Sequence, residues 1–150
     1  MTDFYHVCFA VPDLAKATDD LTLATGVRWR EPRGGTLGSW EYQIVFSVGA
    51  PYIEIIEGPP GSPWDCTGGP RFDHLGWWST SIEVSTRRLT DAGFPSDFDG
   101  CPFGRSFAYH RLDSIGARVE VVDTAGQAEF MSAWDPDGVP ATALECLRTS

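Results

Sequence analysis

The chain has 150 residues, of which 42% are hydrophobic and 21% charged, a composition typical of one packed globular domain and not of a disordered segment. Its 21 acidic residues outnumber 11 basic ones and leave a formal charge of −10, which argues against sequence-independent binding to nucleic acid or anionic membrane. Because the sequence has no run of about 18 apolar residues and no N-terminal secretory pattern, we expect a cytoplasmic protein.

The first half of the chain predicts a strand, a helix and a hairpin. Residues 4–7 are aromatic and β-branched around one histidine, as in a short strand. A helix is predicted over 13–26, because apolar residues recur at helical spacing between an initial Asp and a final Gly. Strands over 41–48 and 52–57 flank the turn residues Gly49-Ala50-Pro51.

The second half repeats this order after a linker rich in Pro and Gly. His74 follows His6 by 68 residues, and the strand that contains it precedes a helix predicted over about 81–93. Strands are predicted over 105–112 and 117–122, whereas 93–104 is loop-like. The chain is therefore predicted to be one α+β domain with two βαβββ units. These comprise module 1 at about 4–58, a linker at 59–71, module 2 at about 72–125 and a C-terminal tail at 126–150.

The repeat places one histidine on the first strand and one glutamate on the last strand of each unit. These residues are His6 and Glu54, then His74 and Glu120. Imidazole and carboxylate groups together suit divalent Zn, Ni, Co, Fe or Mn, so the pattern indicates a metal site. Each glutamate alternates with apolar residues that face a core; the other interpretation is that both acids lie on a solvated sheet face.

At this point the chain resembles a known family, the vicinal oxygen chelate superfamily. Its members include glyoxalases, methylmalonyl-CoA epimerases, extradiol dioxygenases and fosfomycin- and bleomycin-resistance proteins. The resemblance covers roughly residues 4–125, and the segments that carry it are His6-Val-Cys-Phe-Ala-Val-Pro-Asp-Leu14, Tyr52-Ile-Glu-Ile-Ile-Glu57, Phe72-Asp-His-Leu-Gly76 and Arg118-Val-Glu-Val-Val122.

The resemblance implies a fold and a metal centre. Its members pair two βαβββ modules into an open, curved mixed sheet with helices on the outer face and a metal on the concave face. By similarity, His6, Glu54, His74 and Glu120 would be the metal ligands. Relatives are also commonly homodimers.

One motif departs from the pattern of many relatives, which carry Asp-Pro-Asp-Gly just before the last ligand strand. This chain has Asp113-Ser-Ile-Gly116 there and Asp135-Pro-Asp-Gly138 further on. Using the later motif as the marker would make Glu145 the ligand. We keep Glu120, because it preserves the repeat.

A set of four His and Glu ligands is similar to that of the glyoxalase and epimerase branch. The resemblance implies a lyase or isomerase whose metal stabilises an enediolate formed when a carbon-bound proton is removed. The candidate catalytic residues are Glu120 and Glu54, by similarity to ligand bases in glyoxalases, and Glu41, by similarity to an epimerase base. The residue pattern alone favours a solvent-facing strand acid at Glu41. His110 is a further candidate for an acid–base group or an additional metal ligand; the other interpretation is a polar surface group.

The walls of the site are predicted from strand alternation. This places five residues on the faces of the ligands, namely Cys8, Tyr52, Phe72, Trp78 and Arg118. Such walls suit a small apolar or aromatic carbonyl or hydroxy compound with an anchor near Arg118, although the aromatic residues could also be ordinary core.

Two other functions remain open. The aromatic-rich composition, with 13% Phe, Trp and Tyr, also fits a metal-free drug- or metabolite-sequestering protein of the bleomycin-resistance type. An extradiol-type dioxygenase would use two His and one Glu around iron.

Overall fold

The computed structural model describes residues 3–137, which form a single eight-stranded sheet with three α-helices. The order of elements repeats a βαβββ unit before a final helix. The elements are β1 (Phe4–Ala10), α1 (Leu14–Thr25), β2 (Arg33–Leu37), β3 (Trp40–Phe46), β4 (Tyr52–Glu57), β5 (Arg71–Ser79), α2 (Ile82–Asp91), β6 (Ser96–Asp99), β7 (Phe107–Leu112), β8 (Ala117–Asp123) and α3 (Gln127–Trp134).

The strand order is β2-β3-β4-β1-β5-β8-β7-β6, and the sheet is mixed, curled and open. In each unit the first and last strands pair in parallel, β1 with β4 and β5 with β8. The antiparallel pairing of β1 with β5 joins the two units at the centre. The predicted α+β fold with tandem βαβββ modules is thereby confirmed.

Local sequence explains where the first two helices begin and end. The Asp13 side chain accepts a hydrogen bond from the Lys16 N–H at the start of α1, and Gly26 ends that helix with a left-handed φ of 76°. Ser81 caps α2 in the same way through the Val84 N–H. No helix among residues 3–137 is long and apolar enough to cross a membrane.

Helices α1 and α2 pack on one face of the sheet, here called the outer face. Ile55 and Val121 are fully buried on this face, beneath α1 and α2 respectively. Their neighbours Glu54 and Glu120 therefore point to the opposite, inner face. The sequence alternation predicted this division.

Two β-bulges in the pairing of β1 with β5 change which side chains share a face. The first shift lies between Phe4 and His6 and leaves Tyr5 as an extra residue on β1. The second lies opposite Cys8 and Phe9 and leaves Asp73 as an extra residue on β5. Tyr5 consequently joins His6 on the inner face. Simple alternation cannot describe either strand along its whole length.

Two segments differ from the sequence prediction. The loop-like stretch 93–104 contains the edge strand β6, which pairs with β7. The tail contains α3, whose Phe130 side chain packs against the rings of Tyr5, Phe46 and Tyr52 on the inner face. Glu145, the alternative ligand position, lies outside the described residues.

Candidate metal centre

Four strands bring His6, Glu54, His74 and Glu120 together on the inner face. The Nε2 atoms of the two histidines lie 2.9 Å apart. His6 Nε2 lies 2.9 Å from a Glu54 carboxylate oxygen and 3.4 Å from Glu120 Oε2, which is also 3.4 Å from His74 Nε2. All four residues are at most 8% exposed, so two imidazoles and two carboxylates meet in one buried cluster.

The strand register explains why these side chains converge. Cys8 on β1 is opposite both Glu54 on β4 and His74 on β5, and Gly76 on β5 is opposite both His6 and Glu120. A Cβ at position 76 would lie 2.3 Å from the His6 ring. Glycine there makes room for the His6 imidazole.

The donor set fits a divalent cation. Around a cation about 2.1 Å from each donor, neighbouring donors lie about 3.0 Å apart in octahedral and about 3.4 Å apart in tetrahedral geometry. The four separations of 2.9–3.4 Å given above match these values. The donor atoms of His6, Glu54 and His74 all lie within 4.8 Å of one another, so these three residues could hold one metal ion. Two imidazole Nε2 lone pairs at 2.9 Å also repel each other unless a proton or a cation lies between them.

The electrostatics of the cluster favour positive charge at its centre. Burial lowers the pKa of His74, but Glu120 and the hydrogen bond to Asp73 outweigh it and raise that pKa to about 10. Burial raises the pKa of Glu120, but His74 and His6 outweigh it and hold this pKa below its usual value. The two histidines therefore favour the ionised form of the Glu120 carboxyl group.

A cavity of 410 Å³ opens above the cluster, with Glu54 and Glu120 in its lining. Eight aromatic side chains line the same cavity. They are Tyr5, Tyr42, Phe46, Trp64, Phe107, Tyr109, Phe130 and Trp134. A cavity of this size and lining suits a small apolar or aromatic molecule.

Helix α3 closes one side of this cavity. Arg30 Nε donates a 2.8 Å hydrogen bond to the Trp134 carbonyl, and Arg33 donates one of 2.7 Å to the Ala133 carbonyl. These two guanidinium groups donate hydrogen bonds to carbonyls that have no partner within the helix. Their positive charge also stabilises the negative, C-terminal end of the helix dipole. The tail, which the sequence left unplaced, therefore supplies part of the wall.

None of the five residues predicted to line the pocket is in the wall of this cavity. Four of them share the inner face with the cluster, namely Cys8, Tyr52, Trp78 and Arg118. Cys8 is buried and its Sγ lies 3.4 Å from Glu54 Oε1. The Tyr52 hydroxyl donates to Asp135 at 2.6 Å, and Trp78 stacks on Tyr5 at 4.1 Å.

Phe72 and Arg118 have different surroundings from those that alternation predicts. The bulge at Asp73 turns Phe72 to the outer face, where its ring packs against Phe9 at 5.4 Å. The Arg118 guanidinium lies over the Tyr109 ring at 3.9 Å and binds Asp73 and Asp97. This arginine is engaged in the protein and borders a separate cavity.

The structure does not bring Glu41 to the cluster. Glu41 is exposed and lines a separate cavity with Gln43 and Glu57. His110 is fully buried, and its ring contacts the Phe94 carbonyl at 2.8 Å and the Thr86 hydroxyl at 3.3 Å. Both residues lie away from the four converging side chains.

Sequence reasoning missed Asp73 and all eight aromatic residues of the cavity wall. The Asp73 side chain is fully buried, and its carboxylate oxygens lie within ion-pair distance of His74, Arg71 and Arg118. Burial raises the pKa of Asp73, but the hydrogen bond to His74 and the charge of Arg118 outweigh it and lower the pKa to about 2. An aspartate directly before a predicted ligand was the available signal.

Several solved structures share this fold. A methylmalonyl-CoA epimerase of Streptomyces coelicolor in complex with 2-nitronate-propionyl-CoA is 14% identical, with a TM-score of 0.61 over 83% of this chain and 99% of the other. The epimerase of Mycobacterium tuberculosis is 16% identical, with a TM-score of 0.62 over 85% and 91% of the two chains. 4-Hydroxymandelate synthase of Streptomyces coelicolor is 16% identical, with a TM-score of 0.57 over 80% and 47%.

No curated protein sequence matches the chain. A sequence profile of one family does, over residues 5–109, and this match runs from within β1 to within β7 and includes three of the four clustered side chains. It confirms the resemblance found in the repeated strand motifs. The chain belongs to the Glyoxalase/Bleomycin resistance protein/Dioxygenase superfamily.

Proposed function

We propose that this protein is a divalent-metal-dependent lyase or isomerase of the glyoxalase and epimerase type. The observation that carries the proposal is the convergence of two imidazole nitrogens and two carboxylates at the base of an aromatic cavity. The substrate would be a small apolar or aromatic carbonyl or hydroxy compound that reacts through an enediolate.

His6, Glu54, His74 and Glu120 would hold the metal, with Zn, Ni, Co, Fe and Mn as candidates for this mixed nitrogen and oxygen set. When bound, the ion supplies Lewis-acid chemistry that stabilises negative charge developing on substrate oxygens. The surrounding aromatic wall excludes water and orients the substrate, which strengthens that stabilisation.

Glu120 is the first candidate to take and return the carbon-bound proton. Its contacts with both histidines use Oε2, so we assign the proton transfer to Oε1. Glu54 is the second candidate, because one of its oxygens faces His6 and the other faces Cys8. Glu41 lines a different cavity and would act only if the substrate extended there.

The charges around the cavity favour a substrate without several phosphates. Four carboxylates line it, those of Glu54, Glu120, Asp123 and Glu129, against one cation, Arg105. A divalent metal would offset two of these negative charges. A neutral or singly charged aromatic compound therefore suits the cavity better than a CoA ester.

Proton abstraction can be tested by solvent exchange. The protein, loaded in turn with zinc, nickel and iron(II), would be incubated in D2O with a panel of aromatic 2-hydroxy ketones and 2-oxoaldehydes. We expect NMR to show deuterium at the substrate carbon for the wild type, and a loss of about 100-fold or more for Glu120→Gln. Glu83→Gln, which removes an exposed carboxylate far from the cavity, is the control. Exchange that survives Glu120→Gln would move the proton transfer to another group.

A binding protein of the bleomycin-resistance type is the second candidate function. The eight aromatic side chains that line the cavity favour it. It predicts tight binding of an aromatic ligand to metal-free protein with no exchange. An extradiol-type dioxygenase would need only two His and one Glu ligand and would consume oxygen with catechols in the iron(II) form.

We also propose that the chain forms a homodimer through the outer face of β1 and β5. Phe4 and Phe9 are 46% and 36% exposed there, and their rings pack only against Trp77 and Phe72 among the described aromatic residues. Burying this stripe against a second copy would remove apolar surface from water. Light scattering should give the mass of a dimer for the wild type and of a monomer for Phe9→Asp.

A further inference from the structure

We propose that Asp73 is a positioning residue, which fixes the ring of His74 so that its Nε2 atom faces the metal centre. This inference rests on the proposed metal centre and assigns a role to a residue outside the four ligands. The observation behind it is that Asp73 Oδ2 lies 2.8 Å from His74 Nδ1. A proton on Nδ1 leaves the Nε2 lone pair free for a metal.

The Asp73 carboxylate is itself held in place from both sides. Arg71 Nη2 donates to Oδ1 at 2.7 Å, and Arg118 Nη2 donates to Oδ2 at 2.5 Å. The Asp73 side chain has no exposed surface, so both charge-assisted hydrogen bonds are made to a carboxylate shielded from water. The carboxylate has no freedom to turn away from His74.

Both arginines are tied to the linker between the two units. The Pro63 carbonyl accepts hydrogen bonds from Arg71 at 3.2 Å and from Arg118 at 3.0 Å, and Arg71 also donates to the Asp65 carbonyl. The linker therefore fixes the two cations, the cations fix Asp73, and Asp73 fixes the ring of His74.

The bulge in β5 brings the Asp73 side chain to the ring of His74. In a regular strand Asp73 would point to the face opposite His74, because neighbouring side chains alternate. The bulge leaves Asp73 unpaired beside His74, so the two side chains meet. His6 has no equivalent partner, since its Nδ1 atom is the buried polar atom without a hydrogen bond among residues 3–137.

The test uses zinc as the probe and compares Asp73→Asn with Asp97→Asn. Asp97 binds the other side of the Arg118 guanidinium at 3.3 Å and does not contact His74, so it is the matched control for losing one carboxylate at that arginine. We expect Asp73→Asn to weaken zinc binding by about 10- to 100-fold and Asp97→Asn to leave it within about twofold of the wild type. Equal zinc affinity in both variants would overturn the proposal.

NMR of the histidine rings separates positioning from a general loss of stability. In zinc-loaded wild type, His74 should carry a slowly exchanging proton on Nδ1, and this signal should persist in Asp97→Asn. Rapid exchange of that proton in the wild type would overturn the proposal even if Asp73→Asn failed to fold. Arg71→Ala, at a side chain that is 37% exposed, should weaken zinc binding by a few-fold while the protein stays folded.

Zinc binding by the wild type tests the metal centre itself, whereas the comparison of Asp73→Asn with Asp97→Asn tests Asp73. Zinc binding that is normal in the wild type and in both variants would retain the proposed function and remove the role of Asp73. If the wild type bound no zinc, the two variants would be compared with whichever of nickel, cobalt, iron(II) and manganese it does bind. A wild type that binds none of these five metals would overturn both proposals.

Discussion

The Nε2 atoms of His6 and His74 lie 2.9 Å apart, although 68 positions separate the two residues in the chain. Each comes from the first strand of a different βαβββ unit, and these two strands pair at the centre of the sheet. A ligand pair of this kind cannot form within one unit. The candidate metal centre therefore depends on how the two halves meet.

Gly76→Ala should disrupt the metal centre by displacing the ring of His6. A methyl group at this position would lie 2.3 Å from the His6 ring, so the imidazole or the strand must shift. We expect zinc affinity to fall at least tenfold and the free energy of unfolding to fall by about 1–3 kcal/mol, as in other overpacked cores. Isothermal titration and urea unfolding measure the two effects.

Gly68→Ala is the control for this substitution, because a Cβ there meets no atom within 4 Å. It should leave zinc affinity and stability unchanged. Normal zinc affinity in Gly76→Ala would show that the His6 ring is not confined by Gly76.

Tyr52→Phe should affect stability and not metal binding. The Tyr52 hydroxyl donates to Asp135 Oδ2 at 2.6 Å, a buried hydrogen bond that ties β4 to the end of α3. Its loss leaves Asp135 with one partner fewer, so we expect the free energy of unfolding to fall by about 1–3 kcal/mol. Urea unfolding and a zinc titration check this; weaker zinc binding at unchanged stability would place Tyr52 in the site, as strand alternation suggested.

The linker should make an acid-sensitive contribution to stability through Asp65. Hydrogen bonds from the Gly61 N–H and from Thr67 lower the pKa of Asp65 to about 2. A carboxyl group with a lowered pKa stabilises the folded state above its ordinary pKa of about 3.9, and this stabilisation disappears as the pH falls towards 2. The wild type should therefore be more stable than Asp65→Asn at pH 6, and the difference should shrink between about pH 4 and pH 2.

Urea unfolding of the two proteins at pH 6, 4, 3 and 2 measures this difference directly. Comparing the pair at each pH cancels the titration of the other acidic groups. A difference that stays constant from pH 6 to pH 2 would contradict the assignment to Asp65.

The four clustered side chains could be predicted because two simple patterns coincide in them. Strand alternation separates Glu54 and Glu120 from the apolar residues beside them, and the repeat then places each glutamate at a matching position. His6 and His74 follow from the same repeat. Periodicity and duplication were sufficient to identify the inner face of the central strands.

The surroundings of the cluster could not be predicted in this way, because they depend on departures from regular pairing. The bulge at Asp73 turns Phe72 outward and brings Asp73 to His74, and nothing in the local composition specifies that extra residue. The wall formed by α3 depends on hydrogen bonds such as that from Arg30 to the Trp134 carbonyl, which spans 104 residues. Contacts this distant in sequence leave no local pattern.

Metal analysis of the purified protein tests the central claim most directly. After incubation with zinc, nickel, cobalt, iron(II) or manganese at neutral pH and removal of free ions, mass spectrometry should find about one equivalent of a divalent metal per wild-type chain. His6→Ala and Glu120→Ala should each hold far less than one equivalent, because each removes a ligand from the cluster. A folded wild type that retains no stoichiometric metal under any of these conditions would contradict the metal centre.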